Sequence, residues 1–454
     1  MIRKWPRLLK IIPSAVLCAL GVHELAAASS MLENVRQATR GMQRTAGRND
    51  SLVPFEAGTS ARIPLNLRLL DQTAPKSRIG NRPWAGLVFP MNEGLIAARY
   101  LDRGFRSLST FAARKVYVMN RPLEAIARGD SWFSKRRSLD QLSPSEKYDL
   151  LVGDLAGTLT QAIWNEGVRY ENNGEIAPWM GICDGSAAAS ALAPEPIHDL
   201  VLRDPIFGNE FTLYASDIKA LASLHYSEYV VRTSIVGGRC EHSSGTLPLP
   251  GESPQCESLN PASWHRSLLF FNGIQQRPLF IDTSPNLEVW NSPIISYSFE
   301  YFDVRTSKSV SSLDQALVRR SDFKYDPRSG SRAPSTEFIV GVRMTISTSG
   351  GSARSTSGPQ PATPIRRNYA YELELDSFQN LLGGEWLSKD RPDFAWIMDR
   401  QKLPMSTADE ELLHPRWDGG VVPPDWHPAI QRASARVQTT GAIIRHLLEQ
   451  SSRP

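Results

Sequence analysis

The sequence predicts an α+β fold with an antiparallel sheet and packed helices. Three observations point there. Helical spacing and a capping signature concentrate before about residue 230. Strand-like apolar or alternating runs concentrate after about residue 260. Strands follow helices rather than alternating with them, unlike a doubly wound sheet. The chain has 454 residues, which suits two or three domains. Its 41% hydrophobic and 22% charged residues are ordinary for a soluble globular protein. With Gly 31 and Pro 32, a collagen-like or wholly disordered chain is excluded.

Residues 1–28 read as a signal peptide. Arg3, Lys4, Arg7 and Lys10 form a basic start, residues 11–21 an apolar run interrupted by Pro13, and Ala26-Ala27-Ala28 a small-residue cleavage pattern. A run of that length cannot span about 30 Å of hydrocarbon. Cys18 lacks a convincing lipobox, so export to a secreted or periplasmic location is expected, with no membrane role beyond it. Residues 29–80 read as an N-terminal extension or pro-segment: a short amphipathic helix over 29–47, then irregular Pro-punctuated chain.

A catalytic core is expected over 81–346. Residues 81–103 suggest a packed loop or short strands. Ser143-Pro144-Ser145-Glu146 is a helix start, with Ser at the N-cap, Pro next and Glu three residues on. Tyr148, Leu151, Leu155, Leu159 and Ile163 continue it at helical spacing, predicting one long helix ended by Gly167. Residues 181–192 and 217–226 read as helices, and 211–214 as a short strand. Apolar runs at 263–271 and 278–282 flank Asn272-Gly273, a hairpin signal. Residues 287–303 and 337–346 read as further strands. Residues 347–367 are low-complexity and read as a flexible linker or loop. Over 368–454, a strand with alternating Tyr369, Tyr371, Leu373 and Leu375 and a helix over 427–450 are expected to pack on the core.

The net charge is +4, and Arg3, Lys4, Arg7 and Lys10 against Glu24 carry three of those charges. An exported chain is therefore near +1, too weak a field to recruit nucleic acid. The same cut removes Cys18 from the four cysteines, leaving Cys183, Cys240 and Cys256. Cys240 and Cys256 share a polar loop with fifteen residues between them. A disulfide there would contribute roughly 3 kcal/mol, and an oxidising compartment favours it. Cys183 is then the free thiol.

Cys183 follows a Gly-marked turn and precedes a small-residue helix. A thiol at a helix N-terminus gains from the helix dipole, and backbone N–H groups there can hold an oxyanion. The alternative is a small cysteine packed under a helix. A thiolate nucleophile also needs a base. His265 opens one run and Asp282 closes the next, so a hairpin about Asn272-Gly273 would bring the two together. Cys183, His265 and Asp282 in that order suit a papain-like thiol enzyme. Asp282 also fits a strand-terminal turn, with Thr283-Ser284-Pro285 following.

Several ordered motifs then resemble one family. Trp179-Met180-Gly181-Ile182-Cys183-Asp184-Gly185-Ser186, with Pro194-Glu195-Pro196 after it, resembles the nucleophile region of the transglutaminase elicitor family. That family is known from Phytophthora and has bacterial relatives. Asn260-Pro261-Ala262-Ser263-Trp264-His265 is similar to its histidine motif, and Leu279-Phe280-Ile281-Asp282 to its aspartate strand. Val289-Trp290-Asn291-Ser292-Pro293 is similar to the start of its surface elicitor peptide, with Ser292 in place of Gln. Asp184 stands where relatives often carry His or Asn. The likeness spans roughly residues 81–396.

The resemblance implies a papain-like transglutaminase core with Cys183 as nucleophile, His265 as base and Asp282 orienting the imidazole. It implies transfer of a glutamine acyl group from a protein substrate to a lysine or small amine through a thioester. Trp179 and Gly181 are candidates for lining the acyl channel, Trp179 equally as a core aromatic. No cofactor is needed for this chemistry and no metal site is expected; calcium is common among transglutaminases, but no EF-hand-like loop is present. With the same residues, free entry of water would make a glutamine deamidase or cysteine peptidase. A secreted effector or binding protein without catalysis is the third reading.

Overall fold

Alternation of apolar residues builds the frame of the molecule. Val340, Val342, Met344 and Ile346 face the same core as Tyr369, Tyr371, Leu373 and Leu375, the period of two expected of paired strands. The computed structural model describes residues 65–80, 82–129, 132–228, 233–238, 259–352, 354–356, 362–398 and 404–453. The predicted signal peptide, the 29–47 helix and the Cys240–Cys256 pair lie outside the described residues.

Among the described residues ten strands form one sheet: β1 Lys76–Arg78, β2 Thr233–Gly237, β3 Phe280–Asp282, β4 Asn291–Phe302, β5 Ser309–Val310, β6 Val318–Arg319, β7 Phe338–Ser349, β8 Pro364–Leu375, β9 Leu381–Trp386 and β10 Phe394–Met398. Its main path runs β9-β8-β7-β4-β3-β10-β2, with β1 and β5 beside β4 and β6 beside β7. Every pairing in it is antiparallel. The principal helices are α1 Leu67–Thr73, α2 Pro144–Leu151, α3 Thr158–Arg169, α4 Cys183–Leu192, α5 Ala215–Glu228, α6 Pro261–Ser267, α7 His427–Ser434 and α8 Gly441–Ser451. The α+β expectation with an antiparallel sheet is therefore met.

The sheet divides two cores. Phe280, Trp396 and Met398 point into a helical layer with α2, α3, α4, α5 and α8. Ile281, Ala395 and Ile397, their alternates, point into a second layer with α1 and α6. Successive side chains of a strand face opposite sides, so one step along β3 or β10 crosses from one core to the other.

Several elements differ from the sequence reading. The single helix expected from Ser143 breaks into α2 and α3. The capping box is present, but Gly153 and Gly157 adopt left-handed φ of 73° and 72°, and the Asp149 carboxylate starts α3 by accepting the Leu159 and Thr160 N–H groups, each at 3.1 Å. The hairpin expected about Asn272-Gly273 is a helix. Asn260 accepts the Ala262 and Ser263 N–H groups, Pro261 opens the first turn, and a π-helical turn Leu268–Ile274 continues it. That cap outcompetes the turn dipeptide. The expected 427–450 helix divides at Val437, which has a φ of 63°, into α7 and α8.

The low-complexity stretch 347–367 is not a linker between units. Its ends complete the β7–β8 hairpin, with Ser347 opposite Arg366 and Ser349 opposite Pro364. Gly351–Ser352 pairs in parallel with Gly86–Leu87. The C-terminal region supplies β8, β9 and β10 to the same sheet rather than merely packing on it. Residues 66–80, expected to be irregular, supply α1 and β1 to the second layer. Among the described residues no helix is long and apolar enough to cross a membrane.

Candidate active site

Cys183 opens α4, as the sequence predicts, with Ile182 at the N-cap. The turn before it is held against the neighbouring chain: a Cβ on Gly181 would lie 2.4 Å from the Phe89 carbonyl oxygen. Gly181 thus permits a close backbone approach. Trp179 is half-buried four residues before the cysteine. Ala187, Ala188 and Ala189 seat the rest of α4 in the helical core.

The sulfur faces the sheet. Cys183 Sγ donates to the Val289 carbonyl at 3.4 Å and accepts from Asn291 Nδ2 at 3.5 Å. Asn291 lies directly opposite Asp282 in the β3–β4 register, so the two share a face. Asp282 Oδ1 accepts the Trp290 N–H at 2.9 Å. Asn291 Oδ1 accepts the Trp396 indole N–H at 2.7 Å. The structure therefore brings Cys183 and Asp282 into one neighbourhood, and adds Asn291, named in the sequence only within the elicitor-peptide motif, and Trp396, neither of which the sequence marked as a site residue. Their signal is non-local: each is placed by strand register.

His265 is elsewhere, and this corrects the expected triad. It sits in α6 rather than in a strand facing Cys183, and it is fully buried. Its Nδ1 shares a 2.7 Å hydrogen bond with the Tyr371 hydroxyl, and its ring meets Phe299 and Tyr371 edge-on. Tyr371 belongs to the second core, across the sheet from α4. Its Nε2 has no hydrogen-bond partner among the described residues. Burial drives the imidazole pKa down to about 3, so the ring is neutral. The physical cause of the misplacement is the helix: α6 replaces the strand whose pairing would have carried His265 to Asp282.

The electrostatics favour a thiol at rest. Burial and then the Asp184 carboxylate push the Cys183 pKa up to about 11, with Asp282 adding to the effect and Asn291 opposing it. Burial raises Asp184 itself to about 6. Asp184 accepts the Ser227 hydroxyl at 3.1 Å and the N–H groups of Gly185 and of its own backbone. The positive end of α4 is thus partly taken by a carboxylate, and the dipole's pull on the sulfur is correspondingly weakened.

The crystal structure of the GP42 transglutaminase from Phytophthora sojae aligns with a TM-score of 0.49 and 17% identity, over 83% of this chain and 95% of that one. No curated protein matches the sequence. The family model described as Transglutaminase elicitor matches residues 162–410, more than half of the chain and a stretch that includes Cys183, His265 and Asp282. The chain belongs to the transglutaminase elicitor family.

Proposed function

We propose that this protein is an exported cysteine acyltransferase of the transglutaminase type, with Cys183 as nucleophile in a papain-like arrangement of helix start against sheet. The observation that carries the reading is the partly exposed Cys183 at the start of α4, facing Asn291 and Asp282 on paired strands. Sγ attacks the side-chain amide carbon of a substrate glutamine, and the thiol proton leaves with the departing nitrogen as ammonia. The thioester then meets a primary amine, usually a lysine side chain. An amide bond forms, and the proton from the attacking nitrogen returns to sulfur. Export rests on the N-terminal 28 residues; of the extension or pro-segment expected over 29–80, the part from Leu67 supplies α1 and β1 to the core.

A second reading keeps the family and drops the catalysis. It is favoured by the thiol pKa of about 11 and by Sγ having no histidine hydrogen-bond partner among the described residues. One assay separates the two. Purified protein and its Cys183→Ala variant are given a glutamine peptide and a labelled primary amine, and both amine incorporation and ammonia are measured. Incorporation that Cys183→Ala lowers by about a thousandfold or more supports the transferase. Ammonia release without incorporation makes it a deamidase. Neither signal supports the non-catalytic reading.

A further inference from the structure

The Asn291 carboxamide is held at both ends. Its Nδ2 lies 3.5 Å from Cys183 Sγ, while its Oδ1 takes the Trp396 indole N–H at 2.7 Å. An indole nitrogen only donates. Turning the carboxamide over would set two donors against each other, so the indole fixes the NH2 toward the sulfur. Trp396 is fixed in turn. Its ring stacks on Phe280 with centroids 4.2 Å and planes 21° apart, and the two residues face each other across β3 and β10.

We propose that Asn291 is a catalytic residue that donates to the Cys183 sulfur and stabilises its thiolate, with Trp396 as the positioning residue that orients the donor. The proposal rests on Cys183 being the nucleophile. In the resting thiol, S–H donates to the Val289 carbonyl. When that proton leaves the sulfur, the carbonyl loses its hydrogen bond and offers the anion nothing. The Asn291 N–H bond gains charge assistance at the same moment, roughly doubling in strength. Binding that grows as charge develops is the kind that accelerates a reaction. Main-chain and side-chain amides of Asn291 both favour the thiolate, against the burial and Asp184 effects.

The test follows iodoacetamide alkylation of the Cys183 peptide by mass spectrometry across the alkaline range. Wild type is compared with Asn291→Ala, Trp396→Phe and the double variant. Phenylalanine keeps an aromatic ring to stack on Phe280 and removes the N–H along with the pyrrole ring; thermal unfolding checks that each variant is folded. The alkylation midpoint is expected to rise by about one pH unit in Asn291→Ala and by part of that in Trp396→Phe. The double variant should move no further than Asn291→Ala. In the transfer assay Asn291→Ala should lower kcat by about a hundredfold with KM little changed. Unmoved midpoints in both single variants, or additive shifts in the double one, overturn the proposal. Shifted midpoints in a protein that transfers no acyl group leave the donor standing and remove the transferase reading. Transfer with unmoved midpoints does the reverse.

Discussion

The two faces of the central strands carry polar groups under opposite conditions. On the helical side, Asn291 bonds the partly exposed Cys183 sulfur, with Asp282 opposite it in the strand register and Trp396 holding its other end. On the other side, His265 and Tyr371 pair with each other inside an aromatic core, fully enclosed. A histidine in the first setting can exchange protons. In the second it is a neutral hydrogen-bonding ring whose protonation would charge the core. Residue type therefore does not assign a role until the face is known, and one residue along β3 changes the face.

The largest effect that could break this comparison is on stability. His265→Ala should destabilise the fold by about 2–4 kcal/mol, from the cavity and the lost Tyr371 bond, while each folded molecule keeps its acyl-transfer rate. Chemical denaturation and specific activity per folded molecule check it. A thousandfold activity loss in a stably folded variant would return His265 to the chemistry.

Acid sensitivity sharpens the same contrast. Burial holds His265 near 3 in the folded state, below the 6.5 or so of an exposed imidazole. The unfolded chain then binds the extra proton between those values, so this residue's stabilisation is lost progressively as pH falls from about 6.5 toward 3. His265→Gln should flatten that part of the stability curve, read by denaturant unfolding at several pH values. An unchanged slope would mean that other groups carry it.

The smallest effect concerns the helical face. Asp184 titrates near 6, so at pH 8 its carboxylate is charged and opposes the thiolate. Asp184→Asn should lower the Cys183 pKa and speed alkylation at pH 8 by up to about tenfold, equivalent to one pH unit. A slower reaction would show that the carboxylate mainly serves α4 as an N-terminal cap.

Much of the fold was legible because its determinants are local. Ser143, Pro144 and Glu146 specify the start of α2 within one turn, and the alternation in 369–375 specifies the inward face of β8. The Gly-marked turn before Cys183 predicted the start of α4. The segment 260–274 was misread because its apolar run fits either a strand or a buried helix, and Asn272-Gly273 tipped the reading toward a hairpin. The Asn260 cap and Pro261 were the local signals for a helix. Asn291 and Trp396 carried no comparable local signal, because nothing near them in sequence indicates the register of β3, β4 and β10.

The sequence by itself determined the α+β class, the start of the Cys183 helix and the family motifs, since caps and periodicities act over a few residues. Only the tertiary structure decided which groups meet the sulfur. Strand register and side choice depend on packing between segments about a hundred residues apart, such as Cys183 with Asn291 and Asn291 with Trp396. That packing set Asn291 beside the thiol and His265 across the sheet, in a core whose low polarity keeps it neutral.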